Sequence, residues 1–251
     1  VTARIAIPRT AWLLAPALIA AASLLPAPAT ARPAVVELFT SQGCSSCPPA
    51  DAMLNTLAER DDVIALTYNI TYWDYLGWRD TLGRKEHTAR QEAYAQYFDD
   101  RKYTPQLVID GTSHLPGSRH KASQEAIAAS VEDAADAPDL ALSTTKKGVR
   151  VMSAPVGKGQ AAIWLVQFDT SHAVEITRGE NSGETITYSN VVRKITRLAD
   201  WDMSQPLDLA IARASLLDGD HDGCAIIVQQ GDTAGVGPVV TATRIDMSLI
   251  N

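Results

Sequence analysis

The chain has 251 residues, enough for one large or two modest domains, and at 46% hydrophobic and 20% charged it has the composition of a globular protein with ample core. The formal net charge is −7 and there is no long basic run, which speaks against nucleic acid as a main partner.

Residues 1–31 read as a secretory signal peptide. Arg4 and Arg9 supply a positive start, residues 11–25 an apolar stretch, and Ala29-Thr30-Ala31 a small-x-small cleavage site. The expectation is a mature chain that begins at Arg32, periplasmic or secreted, with no membrane association after cleavage. No other stretch of the sequence is long and apolar enough to span a membrane.

Residues 35–39 form a short apolar run rich in strand formers, with Glu37 as its one charge. Ser41, Gln42 and Gly43 break the run. Two cysteines follow, Cys44 and Cys47, and then Pro48 and Pro49, which sit without harm in the first turn of a helix. Ala50, Met53, Leu54, Leu57 and Ala58 fall at helical spacing on one face. The spacing places Cys44 at or just before the helix N-terminus and Cys47 about one turn further in. Unpaired N–H groups and the helix dipole favour a thiolate at Cys44, and a second thiol three residues on is placed to resolve a mixed disulfide. The same pair also suits half of a zinc site, a copper(I) clamp or a structural disulfide. A disulfide closing so small a loop constrains the unfolded chain little, which favours the redox reading over the structural one.

Residues 63–70 are a second strand, and strand–helix–strand of this length implies parallel pairing through a right-handed crossover. Residues 71–80 hold Tyr72, Trp73, Tyr75 and Trp78, which read either as the lining of a binding groove or as packing on the flank of the sheet. Residues 84–98 read as a helix, with His87 near its start as a surface residue. Thr104 and Pro105 precede a strand at 107–109. A proline there suits either a cis bond, which exposes the backbone of Thr104 to an extended peptide, or an ordinary trans strand start. Asp110-Gly111 marks a hairpin turn, and residues 121–134 a helix.

This order of elements resembles the thioredoxin fold, in which a cis-proline loop faces the dithiol. Residues 36–51, 72–78 and 103–106 resemble the secreted thioredoxin-like family called domain of unknown function 1223, over a stretch from about Val35 to the C-terminus. The resemblance implies a thioredoxin-like fold and dithiol chemistry, with Cys44 as nucleophile, Cys47 as resolving thiol, and Thr104, Pro105, Tyr72, Trp73 and Trp78 contacting the partner. It also implies a buried carboxylate as proton acceptor. Glu37 fills that role for Cys47 if its side chain points towards the active-site helix; otherwise it faces solvent or pairs with a basic residue. No cofactor is needed beyond the Cys44–Cys47 disulfide, and the partners are protein or small-molecule thiols and disulfides. One departure stands out: no Trp precedes Cys44, and the intervening dipeptide, Ser45-Ser46, carries no charge to set a strongly oxidising or reducing couple.

From residue 137 helical periodicity gives way to short strands at 140–144, 149–153, 162–168, 174–177, 184–195, 207–212, 224–229 and 239–245. The expected architecture is thus an α/β thioredoxin-like domain at 32–136 followed by an all-β, sandwich-like domain at 137–251. Residues 178–184 resemble the corresponding loop of the same family, without a derivable role. Asp218, Asp220 and Asp222 alternate as in a calcium loop, but Gln229 stands where a bidentate Glu is required, so an acidic turn is expected and no metal is assigned. His172 and His221 are too isolated to propose as ligands. Cys224 reads as a buried, inert thiol. Copper(I) binding by the cysteine pair, or a non-catalytic binding module, remain the alternative functions.

Overall fold

The computed structural model describes residues 32–231 and 235–250, so the expected signal segment lies outside the described residues. In chain order the elements are β1 (Ala34–Thr40), α1 (Pro48–Ala58), β2 (Val63–Asn69), α2 (Lys85–Tyr97), β3 (Gln106–Ile109), β4 (Ser113–Pro116) and α3 (His120–Asp133). There follow β5 (Ala141–Thr145), β6 (Gly148–Ser153), β7 (Gln160–Glu175), β8 (Thr185–Asp202), β9 (Leu207–Ala212), α4 (Arg213–Leu216), β10 (Gly223–Gln230) and β11 (Val239–Ile245). Among the described residues no helix is long and apolar enough to cross a membrane.

Eight strands form one mixed sheet in the order β11-β10-β7-β8-β2-β1-β3-β4, and β5-β6-β9 form a small second sheet. The β1–α1–β2 unit is parallel, as the crossover length requires. β3 and β4 add antiparallel beyond β1. Their turn passes through Asp110 and Gly111 at φ 46° and 63°. Gly111 is obligatory there, because a Cβ would stand 1.8 Å from the Gly237 carbonyl oxygen.

All seven residues of β1 are buried, because α1 and α3 cover one face of the strand and α2 together with residues of β7 and β10 covers the other. Val36 and Leu38 pack with Ala50, Leu54 and Leu57 of α1 and Ile127 of α3. Val35 and Phe39 face the other way, onto Tyr94 of α2 and onto Val166, Ala225 and Ile227. Strand alternation therefore puts Glu37 on the α2 face, away from α1. The alternate side chains of β7 and β10, including Ile163, Leu165, Ile226 and Val228, pack with Val149, Val151 and Ile211 of the small sheet.

The large sheet takes strands from both sides of residue 137. Residues 162–168 and 174–177, read from the sequence as two strands, lie in one arm: β7 pairs with β8 from Gln160↔Asp202 to Glu175↔Thr185. The polar residues between the two apolar runs are largely exposed, so backbone ladder bonds rather than apolar burial carry the strand through them. β8 then docks in parallel against β2 at Thr67↔Val191.

Glu37 is held by its neighbours on the α2 face. Arg90 donates from Nε to Oε2 at 2.5 Å and from Nη2 to Oε1 at 2.9 Å, and Tyr94 donates its hydroxyl to Oε1 at 2.5 Å. Arg90 also reaches Gln229 Oε1 at 3.1 Å, and Gln229 Nε2 donates to Tyr94 Oη and to the Gly237 carbonyl. Removing one partner of a buried pair leaves the other charge uncompensated, at a cost of about 3–5 kcal/mol. Arg90→Ala is therefore expected to lose stability of that order in urea unfolding. The Glu37→Ala/Arg90→Ala double variant should lose less than the sum of the two single losses.

Candidate functional site

Cys44 and Cys47 are joined in a disulfide, with their Cα atoms 5.4 Å apart. The helix starts later than the spacing predicts: Pro48 is its first residue and Cys47 its N-cap, so Cys44 lies in a turn outside α1. The prolines decide this, since they suit the first two helical positions and cannot donate the bonds of interior ones. For the same reason those positions offer no N–H to a thiolate. The amides of Ala50 and Asp51 are already spent on the Cys47 carbonyl, and Cys47 N donates to the Cys44 carbonyl at 3.1 Å. Cys44 Sγ lies 3.4 Å from the Ser46 hydroxyl.

The sulfurs are more enclosed than an exchange motif at a free turn would be. Cys44 is 4% exposed and Cys47 is fully buried, while Ser45 and Ser46 between them are exposed. Three segments close over the turn. From residues 71–83, Asp80 Oδ2 accepts the Gln42 amide at 2.8 Å and Trp78 Nε1 donates to Gln42 Oε1 at 2.8 Å. Trp73 abuts Gly43, where an added Cβ would lie 3.3 Å from the Trp73 Cβ, and its Nε1 donates to Thr104 Oγ1 at 2.7 Å. From the loop after β7, Asn181 Nδ2 donates to the carbonyls of Gln42 at 2.8 Å and Cys44 at 3.0 Å, and Ser45 N donates to Glu180 Oε2 at 3.3 Å.

Thr104–Pro105 is a cis peptide bond. Pro105 sits close to this end of α1, because a Cβ on Gly117 would meet both Ala50 Cβ and Pro105 Cβ within 3.5 Å. Tyr72, Trp73 and Trp78 are partly buried and pack on the core. Trp73 and Trp78 flank the dithiol turn. Tyr75 is the exposed ring of that loop, at 75% exposure, stacked on Trp73 with centroids 6.2 Å apart.

Glu37 does not point towards α1. Its carboxylate is paired with Arg90 on the opposite face of the sheet, and the condition for a role beside Cys47 is not met. The buried acid on the α1 side is Asp51, which the sequence reading passed over. It is 2% exposed and stands one turn after Cys47, on the same helical face. Neither carboxylate oxygen has a hydrogen-bond partner. Burial pushes its pKa up to about 8, with a smaller upward push from Asp80; the Thr40 hydroxyl nearby opposes the rise without making a hydrogen bond. The Tyr188 hydroxyl on β8 is also buried and unpartnered, and the charge of Asp51 adds to the upward shift that burial gives it. One signal was available: Asp51 shares the helical phase of Leu54 and Ala58, inside the apolar stripe.

The remaining sites fall elsewhere. His87 is not a surface residue; it is 2% exposed, its Nδ1 lies 2.9 Å from the Asn69 carbonyl, and burial lowers its pKa to about 4. Asp218 pairs with Lys194, and Asp222 accepts the amide and hydroxyl of Thr170. Among the described residues no group of three or more His, Cys, Asp or Glu is placed to hold a metal ion. Cys224 is free and 1% exposed, its thiol pushed up to about 12 by burial.

No curated protein matches the chain. Among solved structures, an Agrobacterium tumefaciens protein determined by X-ray crystallography is 29% identical, with a TM-score of 0.71, covering 84% of this chain and 93% of its own. HBP35 of Porphyromonas gingivalis is similar in fold, with a TM-score of 0.57 at 15% identity, covering 85% of this chain and 74% of its own. A family model described as protein of unknown function (DUF1223) matches residues 35–229, and the chain belongs to that family.

Proposed function

We propose that the chain is an exported thiol–disulfide oxidoreductase built on a thioredoxin-like core, whose sheet the strands after residue 137 extend. The observation that carries this reading is the Cys44–Cys47 disulfide at the start of α1, with the unpartnered carboxyl of Asp51 one turn beyond. A stable disulfide agrees with export to an oxidising compartment. Cys44 is the sulfur attacked from outside, because Cys47 is the more deeply buried.

In the direction that reduces this centre, a partner thiolate attacks Cys44 Sγ. The Cys44–Cys47 bond breaks, a mixed disulfide forms, and Cys47 leaves as a thiolate. A neutral Asp51 is the group placed to give that thiolate its proton. A second partner thiolate then attacks the partner's own sulfur in the mixed disulfide. This releases Cys44 as a thiolate and the partner as a disulfide, two electrons having passed to the cysteine pair. The reverse sequence oxidises a partner dithiol. No organic cofactor takes part. The backbone beside Thr104–Pro105 and the exposed ring of Tyr75 are the contacts offered to a protein partner.

Two outcomes test the reading. Cys47→Ser should trap a mixed disulfide through Cys44 with exported thiol proteins, visible by mass spectrometry, while Cys44→Ser should trap almost none and lose exchange with a small dithiol. Stoichiometric copper(I) binding with no exchange would replace this reading with a metal-binding one.

Asp51 supplies the second test. A carboxyl with a pKa near 8 folded, against 3.8 ordinarily, holds its proton more tightly folded than unfolded. It contributes stability that is fully present below about pH 4 and is lost as the pH rises to about 8. Asp51→Asn should remove that slope from the stability–pH profile. It should also slow disulfide reduction at neutral pH by about 100-fold, the low end of general acid–base contributions. An unchanged rate would remove Asp51 from the mechanism.

A further inference from the structure

The β7–β8 arm ends in a loop that reaches the dithiol turn with two polar side chains, Glu180 and Asn181. Ile176 N and Gly183 N close the loop neck through backbone bonds to Glu184 O and Ile176 O. Gly179 lies against Trp78, at φ 80°, where an added Cβ would stand 3.0 Å from the Trp78 Cβ. This close approach seats the next two residues over the turn. Asn181, 7% exposed, spans the carbonyls of Gln42 and Cys44 with one amide nitrogen. Glu180, exposed, takes the amide of Ser45, the residue directly after Cys44.

We infer that this hairpin tip sets the redox poise of the cysteine pair: Asn181 is a positioning residue that fixes the turn around Cys44, and Glu180 disfavours the Cys44 thiolate and so favours the disulfide. The inference rests on the oxidoreductase reading for its biological meaning, but not for its physics. A thiolate at Cys44 would draw on nearby N–H donors, and Pro48 and Pro49 remove two of the helix's own. The Ser45 amide is the first donor beyond Cys44, and a carboxylate occupies it. The same carboxylate places a negative charge on the turn that carries the sulfur which must become negative on reduction. Asp80 also reaches the turn, through the Gln42 amide, while Asp51 on α1 is held neutral by burial below about pH 8. Arg79 and Arg178 line the adjacent cleft with Asp80 and Trp78 and are the basic groups on that side. A couple whose thiolate is disfavoured is more reducing, since oxidising centres of this type owe their potential to a stabilised reduced form.

The test uses the full chain from Arg32, reduced, with Cys47→Ser as background so that only Cys44 is followed at the surface. The rate of iodoacetamide alkylation is measured against pH for Glu180, Glu180→Gln and Glu180→Asp. Glu180→Gln should move the profile to lower pH and raise the rate about threefold at pH 6, as loss of one exposed neighbouring charge predicts. Glu180→Asp should stay near the parent profile. The gain should shrink in 1 M salt, which a purely structural effect would not do. In the two-cysteine protein, equilibration with glutathione buffers should show Glu180→Gln shifted towards the dithiol, and Asn181→Ala should shift it in the same direction by loosening the turn. Superimposable alkylation profiles and equal glutathione equilibria for Glu180 and Glu180→Gln would overturn the inference. Shifted profiles in a protein that exchanges with no exported partner would leave the inference standing and overturn the oxidoreductase reading.

Discussion

Glu37 would be intolerable in the middle of β1 without Arg90. It sits in a strand with no exposed residue, on the face that packs against α2, β7 and β10, and an isolated carboxylate there would cost several kcal/mol. Arg90 answers it from α2, and Tyr94, one turn on, adds its hydroxyl. The network does not end there. Gln229 brings in β10, and the Gly237 carbonyl brings in the segment before β11. Arg90 also lies over the rings of Tyr68 and Trp164, on β2 and β7. One ionic contact thus ties residues from both sides of position 137 into a common core, through hydrogen bonds that each require the others' geometry.

The dithiol turn depends on that assembly although no member of it touches the sulfurs. β8 must stand beside β2 for the β7–β8 arm to project over α1, and β2 keeps its place through β1 and the α2 face. The arm is anchored along its side by Asn55 of α1, which donates to the Thr187 carbonyl at 2.8 Å, and by Thr67, which donates to the Ser189 carbonyl at 2.6 Å. Its tip then reaches the turn. The environment of Cys44 is consequently built from three stretches far apart in sequence: the residues after β2, the approach to β3 and the loop after β7.

The local features were legible in the sequence because they are short-range. The apolar run of β1, the helical phase of α1, the parallel crossover to β2 and the Asp110-Gly111 turn all follow from periodicity, proline and glycine, and each is present. The cysteine spacing likewise located the disulfide turn. What went wrong locally went wrong by a few residues or by a face. Two adjacent prolines moved the helix start to Pro48, and strand phase, which spacing alone does not specify, turned Glu37 away from the dithiol.

Tertiary structure decided the rest. The polar stretch within β7 carries no apolar signal, so its continuity is set by its partner strand and not by its own residues. His87, expected at a surface, and Asp51, which the sequence reading passed over, are ionisable residues on helices, and each is buried because the neighbouring sheet covers its face. Asn181 carries no mark in the sequence that distinguishes it from a turn residue. The motif, the strands and the helices were determined by the sequence on its own, since propensity and periodicity act over a few residues. Which carboxylate stands behind Cys47, and which loop closes over Cys44, were decided only when strands distant in the chain were brought side by side, because burial and hydrogen-bond geometry are properties of the assembled neighbours.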